Sequence, residues 1–190
     1  MNLDLETWTD GELATLATAG RQAAFSVIIR RHRDPIYRLI RGHVGDADEA
    51  LDLVQETFVS AHQALARYDG ARPFRAWLAR IAINKCRDWG RRRTVRRLLF
   101  RADPLDGGVF EVEDDSPSPW QIAQDREELR ALNQAIAALP ASLKEPLLLR
   151  TVEELSQAEV AAALDISEKA VETRVRRARL RLCQMLGRDR

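Results

Sequence analysis

Basic side chains that could neutralise phosphates or read bases are concentrated in two segments of the sequence. Eight basic residues stand against one acid between Lys85 and Arg101, and eight stand against three between Ser167 and Arg190. Arginine and lysine bind phosphates, and a bidentate arginine also identifies guanine in the major groove. Residues 102–128, between these segments, contain nine acids and one arginine. This pattern predicts two surfaces that face a polyanion, joined by a segment that repels it.

The residue types that could act in catalysis or bind a metal are few, and their spacing suits neither role. The three histidines, His32, His43 and His62, form no i, i+4 pair, and no glycine-rich phosphate loop is present. Cys86 and Cys183 form no CxxC pair, and Cys86 lies on an apolar helix face that favours burial. We therefore expect no enzyme activity, no catalytic residue, no metal site and no cofactor.

Composition indicates a folded protein that is not uniformly basic. The 190 residues carry a net charge of +1, with 45% hydrophobic and 31% charged residues. No apolar run is long enough to span a membrane, and the first residues are acidic where a signal peptide would be basic. We expect a cytoplasmic protein without membrane insertion.

The fold class predicted from composition and periodicity is all-α, with two small helical domains. Apolar residues recur at three- and four-residue steps on both sides of ADPLDGGVFEVEDDSPSPW, which combines three prolines, a glycine pair and an acid run. The prediction is one domain over residues 1–97, a flexible acidic linker over 98–122, and a second domain over 123–190.

Local signals place the helix starts. Four pairs fit capping boxes: Thr9 with Glu12, Asp46 with Glu49, Ser142 with Glu145, and Ser156 with Glu159. Ser167 is expected to cap the last helix. Pro35 is expected to break or kink a helical region over residues 21–41.

A helix-turn-helix is predicted between Ser156 and Arg177. The turn falls at Asp165-Ile166, where aspartate can adopt the left-handed conformation that glycine more often supplies. The second helix directs five polar side chains away from its apolar face and towards the major groove: Lys169, Glu172, Thr173, Arg176 and Arg177. An ordinary helical hairpin with a solvated basic face is the alternative.

The segments GDADEALDLVQETFVSAHQALARYD and RPFRAWLARIAINKCRDWGRRR strongly resemble region 2 of bacterial sigma factors of the extracytoplasmic-function group. The stretch LPASLKEPLLLR, with LSQAEVAAALDISEKAVETRVRRARLRL after it, looks like region 4 of the same group. The acidic segment lies where this family has its variable connector.

The resemblance implies a docking site for core RNA polymerase. In the family, the helix that carries Asp-x-x-Gln-Glu binds the clamp helices of the β′ subunit, and the matching residues are Asp52, Gln55 and Glu56. Their i, i+3, i+4 spacing puts them on one helical face. Leu51 replaces a commoner acid, so the docking face has one charge fewer. A solvated surface with cap-related acids is the alternative.

The resemblance also implies contacts with the minus-ten promoter element. The family captures an unstacked base in the loop that corresponds to residues 66–72, so a pocket and nearby cations must offset the cost of turning the base out. The residues implied are Arg67, Tyr68 and Arg72 in the loop, and Asn84, Lys85, Arg87, Arg91 and Arg92 beyond it. Phe58, Phe74 and Trp77 are spaced as core residues, whereas Trp89 fits DNA contact and core packing equally well.

The function implied is that of a sigma factor for a stress or signal regulon. Such a protein binds core polymerase at the β′ clamp helices and the β flap. Its region 4 reads the minus-thirty-five element, and its region 2 reads and melts the minus-ten element. An anti-sigma factor is the expected inhibitor. A sigma-like decoy would lack the basic DNA-facing residues, and a stand-alone repressor would not need the Asp52–Phe58 segment.

Overall fold

The computed structural model describes residues 4–100 and 119–187, and every regular element within them is helical. The helices are α1 (Asp10–Thr18), α2 (Gln22–Val44), α3 (Ala47–Ala64), α4 (Phe74–Phe100), α5 (Pro119–Ala138), α6 (Ala141–Thr151), α7 (Gln157–Leu164) and α8 (Glu168–Met185). Most of the predicted linker, residues 101–118, lies outside the described residues. The all-α prediction is confirmed for the rest.

Helix starts follow the predicted caps at most positions. Thr9 and Ser156 form reciprocal capping boxes, with Glu12 and Glu159 respectively. Asp46 caps α3 by accepting two backbone N–H bonds, but the predicted box with Glu49 was wrong, because the Glu49 carboxylate accepts from the Trp89 indole N–H instead. Ser167 caps α8.

The structure departs from two other local predictions. The Ser142–Glu145 pair is not a capping box, because α6 begins at Ala141 behind Pro140 and the Glu145 carboxylate binds Arg87 instead. Of the break or kink predicted at Pro35, the break is absent, since α2 runs through this residue. A helical proline costs about 3 kcal/mol, and burial of Ile36, Leu39 and Ile40 nearby returns about 1.5–3 kcal/mol each.

Helices α1 to α4 form one packed unit around α2, which contacts the other three. Phe58 and Phe74 are buried in it as predicted, and Trp77 packs partly buried against them. Cys86 is fully buried, and burial raises the pKa of its thiol to about 12. This keeps Cys86 protonated at neutral pH, as expected of a small core residue rather than a nucleophile.

Helices α5 to α8 form a second, smaller unit. Its own cluster of buried residues consists of Ala135, Leu139, Leu147, Ala178 and Leu182. Between α7 and α8, Asp165 adopts the left-handed conformation with φ 56° and ψ 51°, as the sequence predicts for this turn. The described helices include none that is both long and apolar enough to cross a membrane.

The two units pack directly on each other, with α2 against α5 and α6, and α4 against α7. Leu148, Leu149 and Leu155 therefore share one buried cluster with residues of α2 and α4. The two units can approach this closely because residues 42 and 45 are glycines. A Cβ on Gly42 would lie 2.8 Å from Leu148 Cδ2, and a Cβ on Gly45 would lie 2.8 Å from Ala137 Cβ.

Glu153 is buried between the units without a hydrogen-bond partner for its Oε1. Burial raises its pKa to about 7, although His32, Arg75 and Arg38 of the first unit act in the opposite direction. Because the folded chain binds the Glu153 proton more tightly than the unfolded chain does, charging this group opposes folding.

Trp89 belongs to the core rather than to an exposed DNA face. Its side chain is buried, and its indole N–H donates to Glu49 Oε2 over 2.7 Å. The Arg93 guanidinium covers its ring, 5.1 Å from the centroid. These contacts fix the middle of α4 to the first turn of α3.

We predict that Trp89→Phe lowers the free energy of unfolding by about 2 kcal/mol, because it removes a hydrogen bond to a charged acceptor. Glu49→Gln, which keeps an acceptor oxygen, should cost less. Urea denaturation at neutral pH measures both. Equal stability of Trp89→Phe and the parent chain would contradict the structural role of this bond.

We predict that Glu153→Gln flattens the pH dependence of stability. Relative to its charged form, protonated Glu153 stabilises the fold. This stabilisation is fully present below its ordinary pKa near 4.5 and is lost as the pH rises towards 7. At pH 8 the variant should therefore be more stable than the parent, by on the order of 3 kcal/mol. Denaturation at pH 5 and pH 8 measures the difference, and an equal change at both values would exclude Glu153 as its source.

Candidate nucleic-acid interface

The five residues predicted to face the major groove lie on one side of α8. Lys169, Glu172, Arg176 and Arg177 are exposed, and Thr173 is half-buried. Counted from Lys169, the other four residues follow at three, four, seven and eight positions, which places all five on one helical face. Val171, Ala178 and Leu182 are buried on the opposite side, where α8 packs on α6 and α7. The arrangement presents a polar helix face on a packed support, as a helix-turn-helix requires.

A second polar face lies along α3. Asp52 and Gln55 are exposed, and they line an open groove of about 570 Å³ with Glu56, Val59 and Lys85. The side chains of the opposite face, including Leu53 and Phe58, are buried. This face therefore offers acceptors, donors and one apolar side chain to another protein surface.

Glu56 connects the α3 face to the cations of α4. Its Oε2 lies 3.7 Å from Lys85 Nζ and 3.7 Å from Arg92 Nη2. These ion pairs are partly exposed, so each contributes at most about 1 kcal/mol. They place two predicted DNA-binding cations beside the predicted polymerase-binding face, while Asn84 stays exposed and Arg91 pairs with Asp88.

The loop between α3 and α4 has a defined internal structure. The Tyr68 ring packs 5.1 Å from Phe74 and 5.2 Å from Trp77, centroid to centroid, and its hydroxyl donates to the Arg72 carbonyl. The Arg72 guanidinium lies 3.6 Å from Asp69, and Arg67 is exposed. The loop therefore offers two exposed cations beside a half-buried aromatic ring.

Arg87 is engaged differently from the other cations of α4, because it reaches the second unit. Its Nε donates to Glu145 Oε1 over 2.9 Å, and its Nη2 donates to Oε2 over 2.5 Å. His43 Nε2 lies 3.5 Å from Glu145 Oε1. Burial raises the pKa of Glu145, but Arg87 and His43 outweigh burial and leave that pKa below its ordinary value. Glu145 is therefore a buried, charged carboxylate.

Lys144, the neighbour of Glu145, is also buried at this contact. Its Nζ donates to the His43 carbonyl over 2.9 Å and to the Ala137 carbonyl. Burial lowers the pKa of Lys144. The Lys144 side chain therefore links the end of α2 to α5, because the His43 carbonyl belongs to the first unit and the Ala137 carbonyl to the second.

Sequence reasoning missed the roles of His43, Lys144, Glu145 and Glu153. A usable signal was present for Lys144 and Glu145, since these charges interrupt the apolar sequence Leu143 to Leu149. Charged residues at buried helical positions need specific partners. The identity of those partners depends on how the two units pack.

Two family models match this chain. Residues 28–96 match the model described as Sigma-70 region 2, and residues 129–182 match the model described as Sigma-70, region 4. The first match covers α3 and most of α2 and α4, and the second contains the helix-turn-helix.

Two curated relatives match over nearly their whole length. The chain is 40% identical over 185 residues to the RNA polymerase sigma factor CnrH of Cupriavidus metallidurans, covering 95% of each protein. It is 37% identical over 177 residues to the RNA polymerase sigma factor NccH of Alcaligenes xylosoxydans xylosoxydans, covering 93% of this chain and 94% of the relative.

Solved structures agree with these sequence matches. CnrH in complex with the cytosolic domain of CnrY superposes with a TM-score of 0.70 at 34% identity, over 95% of this chain and 99% of CnrH. The sigma factor RpoE of Bartonella quintana, solved with the anti-sigma factor NepR, shares the fold with a TM-score of 0.72 at 21% identity, over 87% of this chain and 98% of RpoE. The chain belongs to the extracytoplasmic-function group of the sigma-70 family, the RNA polymerase sigma factors that act in promoter recognition and transcription initiation.

Proposed function

We propose that α8 reads the minus-thirty-five element through its exposed polar face. The observation that carries this proposal is the face itself, where Glu172, Arg176 and Arg177 project from a helix whose other side is buried. The two arginines can bind guanine edges or phosphates, and Glu172 can accept from cytosine. Lys169 and Thr173 extend the same face.

The minus-ten element is assigned to the first unit. Arg67 and Arg72 flank the half-buried Tyr68, and the cations of α4 continue from Lys85 to Arg92. Lys85 and Arg92 are seven residues apart on one helical face, so they span about 10 Å along the helix, and Asn84 lies beside Lys85. A line of cations of this length suits promoter backbone next to a melted segment. Arg87 and Arg91 belong to the same assignment.

Core RNA polymerase is assigned to the α3 face. Asp52 and Gln55 are exposed there, and Glu56 is held towards α4 by Lys85 and Arg92. The partners proposed are the β′ clamp helices for this face and the β flap for the second unit.

The domain boundaries proposed remain residues 1–97 and 123–190, with a linker over 98–122.

The protein is proposed to act in the cytoplasm as a non-catalytic initiation factor that uses the polymerase active site and needs no cofactor of its own. An anti-sigma factor is proposed as its inhibitor, supported by the complexes of CnrH with CnrY and of RpoE with NepR. The regulon is proposed to be a stress or signal response.

We predict that Asp52→Ala with Gln55→Ala weakens binding to core polymerase about tenfold, because both side chains would lie at the interface. Both are exposed, so stability should change by no more than about 0.5 kcal/mol. Asp34→Ala, an exposed acid of α2, is the control. Fluorescence titration with core polymerase measures the affinities, and parent-like binding by the double variant would refute this docking face.

We predict that Arg176→Ala changes which upstream promoter sequences are used. Loss of a bidentate guanine contact removes about 1–3 kcal/mol of discrimination at one position, whereas loss of a phosphate contact lowers affinity evenly. Selection from a promoter library randomised upstream, with run-off transcription as readout, distinguishes these cases. Arg181→Ala, an exposed arginine further along α8, is the control. Unchanged selection by Arg176→Ala, Thr173→Ala and Glu172→Ala would mean that another surface reads the element.

A further inference from the structure

Tyr68 has a defined orientation in the loop between α3 and α4, although most of this loop is exposed. Its ring meets Phe74 nearly edge-on, with the two planes 80° apart, and meets Trp77 at an angle of 50°. Its hydroxyl donates to the Arg72 carbonyl. Because Phe74 is buried, it is the support against which the Tyr68 ring is oriented.

Phe74 is supported in turn by His32 of α2. The ring centroids of these two side chains lie 5.5 Å apart, and their planes are 46° apart. The His32 side chain is only 12% exposed, so the fold encloses its imidazole. An enclosed imidazole needs a hydrogen-bond partner, and the direction of that bond sets the orientation of the ring. The partner of His32 therefore influences the surface on which Phe74 packs.

Asp10, the first residue of α1, is that partner. Its Oδ2 lies 2.8 Å from His32 Nε2, and its Oδ1 accepts from Arg31 Nη1 over 2.9 Å. The hydrogen bond with His32 is the largest effect on the pKa of Asp10, and it outweighs burial and leaves that pKa below its ordinary value. The carboxylate is therefore ionised at neutral pH and can only accept, so His32 Nε2 carries the hydrogen that it donates. Arg31 is itself fixed, since its Nη2 donates to the Glu6 carbonyl over 2.7 Å.

Two further observations place α1 close to this loop. The helix contacts Leu65–Arg67, a short helical turn that leads into the loop. Burial raises the pKa of the Tyr68 hydroxyl, and the charge of Asp10 raises it further. A continuous series of contacts thus runs from Asp10 through His32 and Phe74 to Tyr68.

We propose that Asp10 and His32 are positioning residues for base capture, which hold Phe74 and through it Tyr68 in the orientation that receives the unstacked minus-ten base. The assignment of the loop to that element rests on the proposed function. A base stacks on an aromatic ring only where the ring has the right tilt and position, so a misplaced Tyr68 discriminates less well between bases. Neither Asp10 nor His32 contacts the base itself.

The first experiment detects the position of Tyr68 without DNA. The chain contains two tyrosines, Tyr37 and Tyr68, so labelling with 3-fluorotyrosine gives two fluorine NMR resonances, which Tyr68→Phe assigns. Asp10→Ala removes the partner of the imidazole. Asp10→Asn also removes the charge, but its amide can still pair with the imidazole in the other tautomer. Asp34→Ala, an exposed acid of α2, is the control.

We expect Asp10→Ala to shift or broaden the Tyr68 resonance, and Asp10→Asn and Asp34→Ala to leave it near its position in the parent. Circular dichroism checks that each variant keeps its helices. A Tyr68 resonance in Asp10→Ala equal to that of the parent would overturn the proposal. Equal changes in Asp10→Ala and Asp10→Asn would also overturn it, because the charge rather than the hydrogen bond would then be responsible.

The second experiment measures base selection by the chain bound to core polymerase. A promoter library is randomised over the minus-ten and minus-thirty-five elements, and each promoter carries a barcode in its transcribed region. We expect Asp10→Ala to lower the preference for one minus-ten base about tenfold, at the same position where Tyr68→Ala lowers it. The minus-thirty-five preference should not change. A residue that only stabilises the fold would instead lower initiation evenly over all sequences, and that result would refute positioning.

Two further variants test the route from Asp10 to Tyr68. His32→Gln keeps a donor for Asp10 but has no ring to pack on Phe74, so it should lose the same base preference. Asp10→Ala added to Tyr68→Ala should cause no further loss, since the ring that Asp10 positions is already absent. Additive losses in this double variant would show that Asp10 acts elsewhere and would overturn the proposal.

Failure of the proposed function would be recognisable separately. Tyr68→Ala would then keep the minus-ten preference of the parent, whatever the fluorine spectra show. If Tyr68→Ala loses that preference while Asp10→Ala and His32→Gln keep it, only the positioning proposal fails.

Discussion

A carboxylate buried between two packed units remains charged only where neighbouring groups compensate for its lost hydration, and Glu145 meets this condition through the Arg87 guanidinium, with His43 Nε2 3.5 Å away. The requirement fixes the position of α6 relative to α4 and to the end of α2. Lys144, the next residue along the chain, uses the carbonyls of His43 and Ala137 for the same purpose. The polar contacts thus specify one arrangement of the units, while apolar burial around Leu148 and Leu149 supplies attraction that is not directional.

Much of the fold could be predicted because its determinants are local. The capping boxes at Thr9 and Ser156 and the left-handed turn at Asp165 depend only on residues within one helical turn. The outer face of α8 follows from helical periodicity, since Val171 and Ala178 are apolar and Lys169, Thr173 and Arg176 on the other side are polar. The family resemblance then supplied the functional assignments of these faces, which periodicity alone could not provide.

The features that sequence reasoning missed depend on contacts between distant residues. Glu145 fits a capping box with Ser142, but a guanidinium fifty-eight positions earlier competes for its carboxylate and wins. Pro35 favours a break by its own chemistry, but burial of the residues around it holds α2 in one piece. Trp89 lies among arginines in sequence, yet the acceptor for its indole N–H is Glu49 on another helix. In each case tertiary packing overrides a local preference.

Accessibility differs among the three candidate interaction surfaces, and this difference has a physical consequence. The α3 face with Asp52 and Gln55 and the α8 face with Arg176 and Arg177 are exposed while the units are packed together. Arg87 alone among the proposed DNA contacts is bound to the opposite unit, although Lys85 and Arg92 also have acidic neighbours in their own unit. Breaking the Glu56 pairs needs only a side-chain movement, because both helices belong to one packed core. The Arg87 contact crosses between the units, so it depends on how α6 packs against α4, whereas the Glu56 pairs do not.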